Sequence, residues 1–190
     1  IDNDGRSALH LSAASDVLED ETLPALIYAG ADINLVDYNG QTPFLVAIQH
    51  GRWYAAAKLV QAGANLEVRL PDGKTALHMD ITLRNQEFTQ VLISRGANID
   101  RKLREHTPLT MAISSRCTPI TAALLDSGAN PNLPSRNGNT PLLSAAATGH
   151  DETVRYLIAH GADPSATQGQ SGYSPMHMAA HKDKPHILRL

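Results

Sequence analysis

The sequence contains few cysteine and aromatic residues, so neither disulfides nor aromatic side chains can dominate its core. Cysteine occurs once in 190 residues, as Cys117, which excludes an internal disulfide and fits a reducing compartment. Aromatic residues make up only 4% of the chain, although hydrophobic residues reach 42%. This combination favours a core of Ala and Leu between closely packed helices.

A strong charge and a long apolar run are lacking as well. The formal net charge is −3 at pH 7, which gives no reason to expect nucleic acid or an anionic membrane as a direct partner. The sequence has no run of 18 apolar residues and no signal peptide, so no membrane segment is predicted. We expect an intracellular protein of the cytoplasm, the nucleus or both.

Motifs for catalysis are missing too. The sequence contains no HExxH, no Gly-x-Ser-x-Gly, no phosphate-binding Walker loop and no dinucleotide fingerprint. Six of its nine histidines are scattered over different units, and no Cys/His pair has zinc-finger spacing. His177 and His181 lie four residues apart on one predicted helix, but exposed pairs at this spacing often arise by chance. We therefore expect no enzyme activity, no cofactor and no metal.

What the sequence does contain is a repeat of about 33 residues. Gly-Ala pairs recur at spacings of 33, 33, 32 and 33 residues, with the glycines at Gly30, Gly63, Gly96, Gly128 and Gly161. A second motif recurs with the same period. It begins with a hydroxyl residue, at Ser7, Thr42, Thr75, Thr107, Thr140 and Ser174. Two motifs locked to one period indicate a stacked repeat protein.

The unit Asp-x-x-Gly-x-Thr-Pro-Leu-His, followed later by Leu-Leu-x-x-Gly-Ala, resembles the ankyrin repeat. The resemblance covers essentially the whole chain. It implies an all-α ankyrin-repeat solenoid of stacked helix-turn-helix units with short β-hairpin or turn connections. We expect a single domain over 1–190, with repeats at approximately 1–36, 37–69, 70–102, 103–134 and 135–167 and a partial repeat at 168–190. The chain also begins without Met, so we interpret it as a piece of a longer multidomain protein.

Local chemistry within the second unit predicts where its helices begin and end. Thr42 can cap the first helix, with Pro43 at its first position, where no intrahelical N–H is required. That helix is expected to run to about His50 and to bury one stripe, formed by Phe44, Ala47 and Ile48. The second helix is expected from about Trp53 to Ala62, burying Ala56, Leu59 and Val60, with Gly63 ending it.

Some units depart from this pattern. The first unit carries two extra residues within the acidic segment 16–21, where we predict an enlarged connection, and Pro24 requires its second helix to begin near Leu23. In the fourth unit Thr118 is expected to cap the second helix, with Pro119 at the first position. Glu105 replaces the turn glycine, so the tip 101–106 should differ in shape from its neighbours. One extra residue lies within 167–172.

Two interior polar positions need explanation. Asp80 falls where other units place Ser or Ala, and a carboxylate there needs a partner. It is interpreted either as a side chain at the concave edge bonded to a neighbouring repeat or as a specificity residue in a binding groove. His10, His78 and His177 share one slot, which in the ankyrin family is a structural position whose hydrogen bonds link the hairpin to the helix.

The resemblance implies that hairpin tips and first-helix ends form one continuous concave face for protein partners. Tyr38 and Tyr173 stand out there as aromatic tips, because tyrosine is favoured at binding hot spots. Trp53 is interpreted either as a packed cover over the end of a helix pair or as an exposed anchor. The candidate partner-binding residues are Tyr38, Asn39, Gln41, His50, Trp53, Asp72, Lys74, Asp80, Leu83, Arg104, His106, Arg136 and Tyr173.

The predicted function is a protein–protein interaction scaffold that binds a partner peptide or domain along this face. The alternative is a structural or autoregulatory segment of a larger enzyme, channel or effector. The resemblance also implies that Asn34 and Asn132, which follow a Gly-Ala pair, are possible substrates of asparaginyl hydroxylation. The identity of the partner is not encoded in any motif.

Overall fold

The computed structural model describes residues 1–16, 21–135, 137–169 and 171–187 of the protein. These residues form short α-helices joined by turns, with one isolated β-bridge recorded, between Leu103 and His106. The helices are α1 Ala8–Ala14, α2 Thr22–Tyr28, α3 Pro43–Gln49, α4 Trp53–Gln61, α5 Ala76–Leu83, α6 Gln86–Ser94, α7 Pro108–Ser114, α8 Thr118–Asp126, α9 Pro141–Thr148, α10 Asp151–Ala159 and α11 Pro175–His181. The all-α fold expected from the sequence is confirmed.

The chain divides into two compact units, 1–80 with 94–97 and 81–93 with 98–190. In the first unit, α1 packs against α2 and α3, and α3 packs against α4. In the second unit, α7 packs against α8 and α9, and α9 packs against α10 and α11. Within each unit a first helix therefore contacts both its own second helix and the first helix of the next repeat. That all the repeats belong to a single domain stays a prediction.

The first helices are buried on more sides than the sequence pattern predicted. The expected stripe of Phe44, Ala47 and Ile48 is fully buried, but Leu45 is only 1% exposed and Val46 only 5%. The prediction of one buried stripe was therefore incomplete. The physical reason is that α3 packs between α1 and α4, so apolar neighbours cover several of its faces.

The second helices follow the predicted amphipathic pattern. In α4 the buried residues are Ala56, Leu59 and Val60, as expected from their spacing. Gly63 takes a φ of 94°, the left-handed conformation that ends such a helix. These helices bury one face and leave the other exposed, because they pack on the first helices from one side.

Helix capping agrees with the sequence in one repeat and differs in another. The side-chain oxygen of Thr42 accepts a hydrogen bond from the Leu45 N–H at 3.3 Å, which confirms it as the cap of α3. The expected cap at Thr118 is wrong, because Cys117 is the N-cap of α8 and Thr118 its first residue. The backbone of Cys117 is not helical, and its carbonyl oxygen accepts the Thr121 N–H at 2.9 Å.

The departures in connection length have separate outcomes. The helix α2 begins at Thr22, one residue before the position expected from Pro24. Most of the predicted acidic connection, 17–20, lies outside the described residues, as does one residue of 167–172. At the fourth tip the Leu103 N–H donates to the His106 carbonyl at 2.8 Å, and the His106 N–H donates to the Leu103 carbonyl at 3.0 Å. This tip differs from its neighbours, as predicted.

No helix within the described part of the chain combines the length and the apolar character that crossing a bilayer requires.

Candidate functional site

The hairpin tips are built by carboxylates that accept hydrogen bonds from their own turn. Asp37 Oδ1 accepts the N–H groups of Asn39 at 2.9 Å and Gln41 at 2.8 Å. Asp2 plays the same role in the first tip, where the Arg6 backbone N–H is the main cause of a pKa lowered from the usual value for Asp. These two tips are therefore turns closed by their own carboxylates, which orients the side chains beside them.

Adjacent tips in the first unit contact each other directly. The Tyr38 N–H donates to the Asp4 carbonyl at 3.0 Å, and the Tyr38 ring lies over Gly5. A Cβ on Gly5 would come within 2.7 Å of that ring. Tyr38 remains 75% exposed, so its ring lies flat on one tip while its other face is open to solvent.

A buried histidine ties a first helix to the next tip. The Ser7 N–H donates to His10 Nδ1 at 3.1 Å, which makes Nδ1 an acceptor and puts the ring proton on Nε2. Nε2 then donates to the Gln41 carbonyl at 3.0 Å. His78 is likewise buried and receives the Thr75 N–H at Nδ1, at 3.2 Å. The structural role implied for this slot is confirmed at His10, and His78 repeats its local bond.

The third histidine in this slot differs in exposure. His177 Nδ1 lies 2.7 Å from the Ser174 hydroxyl oxygen, which repeats the local bond, but the ring is exposed. Within the described residues, no cluster of three or more His, Cys, Asp or Glu side chains is arranged to hold a metal ion.

Three clefts lie beside tips and first helices. The first cleft belongs to the first unit and has a volume of about 620 Å³. It brings four predicted residues together, and its lining includes Asn39, Gln41, Gln49, Asp72 and Lys74. Its polar groups are largely bonded to one another, because Lys74 pairs with Asp72 at 2.8 Å and Gln41 is hydrogen-bonded to Gln49.

The second cleft belongs to the second unit and has a volume of about 410 Å³. It extends along α5 and α7, and its lining includes Ile81, Thr82, Arg84, His106 and Met111. His106 is the one predicted residue in this lining.

Two further predicted residues of the fourth tip and of α5 are exposed but do not line the second cleft. Arg104 lies at the tip with a φ of 51°, an uncommon left-handed conformation for a residue other than glycine. Leu83 is 48% exposed at the end of α5. Both side chains are therefore open to a partner, outside the cleft itself.

The third cleft, also in the second unit, has a volume of about 340 Å³ and is centred on Tyr173. The Tyr173 ring stacks on His177 at a centroid distance of 6.2 Å and lies 5.8 Å from the His181 ring, to which it is tilted. His181 and Lys182 also line this cleft. The predicted aromatic tip thus has two histidine rings against it and a lysine in the same cleft.

The remaining candidates have different surroundings. His50 is exposed at the end of α3. Trp53 is half-buried at the start of α4, and its role as a cover or as an anchor stays a prediction. Asp80 is fully buried within α5, so its interpretation as a specificity residue in a binding groove is wrong, because a partner cannot reach a side chain without solvent exposure. Its interpretation as a side chain bonded to a neighbouring repeat stays a prediction. Arg136 lies outside the described residues.

Sequence reasoning missed Arg84 and Arg116. In the repeat alignment they occupy the position of Gly51 and Gly149, just after a first helix. The φ angle is positive at all four positions, at 59° for Arg84, 54° for Arg116, 67° for Gly51 and 70° for Gly149. The Arg84 guanidinium donates to the Ser115 carbonyl, and that of Arg116 donates to the Thr148 carbonyl at 3.1 Å. Aligning the units would have found both, because arginine replaces glycine there.

Asn34 and Asn132 are exposed at corresponding turns, and the side chain of each is hydrogen-bonded to the backbone of the following repeat. Asn34 Oδ1 accepts the Asn65 N–H at 2.8 Å, and Asn132 Oδ1 accepts the Asp163 N–H at 2.8 Å. Their hydroxylation stays a prediction.

Comparison with known proteins gives consistent matches. The family model "Ankyrin repeat" matches residues 4–38, and the model "Ankyrin repeats (3 copies)" matches 55–135 and 123–190. The chain is 32% identical to the human B-cell lymphoma 3 protein, over 97% of the chain and 41% of that protein. It is 27% identical to the chicken nuclear factor NF-kappa-B p105 subunit, over 84% of the chain and 17% of that protein. The chain thus spans less than half the length of these curated relatives.

A solved structure agrees with these sequence matches. The crystal structure of the ankyrin repeat domain of Bcl-3, described as a unique member of the IkappaB protein family, superposes with a TM-score of 0.86 at 31% identity. The superposition covers 99% of this chain and 84% of that one. The repeat period, the paired helices and these matches together establish that the chain belongs to the ankyrin repeat family.

Proposed function

We propose that this chain is a protein-interaction module that binds a partner peptide or domain through its hairpin tips and first helices. Membership of the ankyrin repeat family, with Bcl-3 and p105 among its relatives, supports a protein–protein interaction domain. A preformed surface avoids much of the ordering cost of binding, and the tips are held by hydrogen bonds within each turn.

The observation that carries this proposal is the grouping of predicted residues in the first cleft. Asn39 and Gln41 come from one tip, whereas Asp72 and Lys74 come from the next. Tyr38 belongs to the same tip as Asn39, and its exposed ring lies over Gly5 of the preceding tip. Polar groups and an aromatic ring at a rigid, accessible surface are typical of protein recognition sites.

A capture experiment with matched variants tests the proposal. The chain is used to recover partners from a lysate, and Tyr38→Ser, Lys74→Glu and Arg104→Glu are then compared with the unmodified chain. Each has a control of the same residue type on a second helix: Tyr28→Ser on α2, Lys58→Glu on α4 and Arg155→Glu on α10.

We expect the tip variants to weaken capture of at least one partner, and the second-helix controls to leave it unchanged. Hot-spot aromatics are worth about 2 kcal/mol or more, so the loss at Tyr38 should reach about thirtyfold if that ring is an anchor. Unchanged capture by all three tip variants would contradict the proposal.

A second candidate function is a structural or autoregulatory segment of a longer protein. The length of the relatives favours it, because the chain corresponds to 41% of human B-cell lymphoma 3 protein and to 17% of p105. In that case the partner surface is another part of the same polypeptide. Isolating the full-length chain and comparing its tip accessibility to biotinylation with that of this segment distinguishes the two functions.

We infer further that the chain acts inside the cell, in the cytoplasm, the nucleus or both, and that it is not itself an enzyme. The NF-kappa-B and Bcl-3 relatives support an intracellular regulator. Reproducible turnover of any substrate by the purified chain would overturn the second inference.

A further inference from the structure

The first and second clefts differ in charge. In the first cleft the one lysine is paired with a carboxylate at 2.8 Å, so the cleft is close to neutral. In the second cleft, the described lining residues include Arg84 and His106 but no Asp or Glu. A cleft whose lining presents a guanidinium and no carboxylate is complementary to a negatively charged ligand.

Arg84 is held in a fixed position at one end of the second cleft. Its φ of 59° lies in a region that costs about 1 kcal/mol for a residue with a Cβ, whereas Gly51 and Gly149 occupy the equivalent position without that cost. The Arg84 guanidinium donates to the Ser115 carbonyl, at the end of α7. A guanidinium has five N–H donors, so this bond leaves donors that can receive a carboxylate.

The floor of the same cleft is apolar. Ile81 is only 1% exposed and Met111 is half-buried, while Arg84 and His106 at the rim are exposed. The volume of about 410 Å³ lies within the range of clefts that bind small ligands. An adaptable Met side chain beside a rigid Ile suits aliphatic side chains of a ligand.

Resting on the proposed function, we propose that the second cleft binds an acidic segment of a protein partner. An aliphatic side chain of that segment packs on Ile81 and Met111, and a neighbouring Glu or Asp carboxylate is bound by Arg84. Arg104 is exposed at the adjoining tip, where half-buried Glu105 separates it in the sequence from His106. An aliphatic floor matches a peptide better than a nucleic-acid backbone, and the net charge of −3 also disfavours nucleic acid.

Blocked heptapeptides titrated into the 190-residue chain test this proposal, with backbone amide shifts followed by NMR. The main probe carries Glu-Leu-Glu at its centre; one control replaces both Glu by Lys, and another replaces Leu by Ala. A dT8 oligonucleotide serves as an anion without an aliphatic side chain. We expect saturable shifts at 81–84, 106 and 111–115 with the Glu-Leu-Glu peptide, and binding at least about fivefold weaker for every control.

Two further measurements isolate the charge. Arg84→Gln should weaken Glu-Leu-Glu binding about fivefold, whereas Arg155→Gln, an exposed arginine of α10, should leave it unchanged. If Arg84→Gln does not fold, the salt dependence of peptide binding to the unmodified chain tests the role of charge instead. Raising the salt concentration from about 0.05 to 0.5 M should then weaken the binding of this peptide and not that of an uncharged Gln-Leu-Gln peptide.

Several outcomes would overturn the proposal: no shifts at these amides with the Glu-Leu-Glu peptide, equal binding of the Lys peptide, or equal or tighter binding of dT8. The proposed function is judged separately, by capture with the Tyr38 and Lys74 variants of the first unit. Partner capture that depends on those residues, together with a failed peptide titration, would remove the acidic specificity alone.

Discussion

At the scale of single residues, glycine permits neighbouring tips to approach. A Cβ on Gly138 would lie 2.8 Å from the backbone nitrogen of Gly169, whereas a Cβ on Gly161 would meet nothing within 4 Å. Both glycines have positive φ, 75° and 85°, so alanine is strained at either position. The pair therefore separates the cost of backbone conformation from the cost of tip contact.

We expect Gly161→Ala to lower the free energy of unfolding by about 1 kcal/mol and Gly138→Ala to lower it by about 2–3 kcal/mol. Urea denaturation followed by circular dichroism measures both changes. Equal losses would show that the contact between the two tips adds nothing to stability.

A tyrosine on a second helix gives a prediction about pH. The Tyr156 hydroxyl donates to Asp126 Oδ1 at 2.7 Å, and this bond is the main cause of a pKa raised above the usual tyrosine value of 10.0. The bond exists only while the phenol is protonated. Its contribution to stability is therefore fully present below the pKa of unfolded tyrosine and is lost as pH rises through the folded pKa.

Asp126→Asn should bring the Tyr156 pKa down toward its usual value, because the charged acceptor is removed. NMR of ¹³C-labelled tyrosine, titrated from about pH 9 to 12, follows the change. Asp183→Asn removes a carboxylate from the same unit and should leave the pKa of Tyr156 unchanged. A Tyr156 curve that does not move in Asp126→Asn would contradict the assignment.

At the scale of helices, the His10 bridge joins two neighbouring repeats. Replacing His10 by Ala removes the bonds to Ser7 and to the Gln41 carbonyl and leaves a cavity around a fully buried position. We expect a loss of about 2–4 kcal/mol in the free energy of unfolding. His50→Ala, at the exposed end of α3, should stay within about 0.5 kcal/mol. Similar small losses in both variants, measured by urea denaturation, would argue against the bridge.

The helices themselves were largely predictable from the sequence. The Thr-Pro starts and the glycine ends are local signals, and they located α3 and α4 to within one residue. Burial on several faces of α3 was not predictable from its periodicity, because coverage depends on neighbours that the period alone does not define. The cap of α8 was misplaced because Thr118 and Cys117 are both plausible, and only backbone conformation decides between them.

At the scale of the whole molecule, the repeat period predicted the family but not the binding chemistry. Register grouped Asn39, Gln41, Asp72 and Lys74 correctly beside one cleft. It failed for Asp80, whose burial depends on side-chain packing around α5. Hydrophobic periodicity gave no sign of Arg84, which an alignment of the units at the position of Gly51 would have found. The proposed preference of the second cleft for an acidic segment therefore depends on Arg84, a residue that replaces one of the repeat's glycines.

The central claim is that a partner contacts tips and first helices, and hydrogen–deuterium exchange with a captured partner tests it most directly. We predict slower exchange in the complex at residues 38–41, 72–74 and 104–106, and unchanged exchange in the second helices α4 and α10. Slower exchange confined to α4 and α10, with the tips unaffected, would contradict the account.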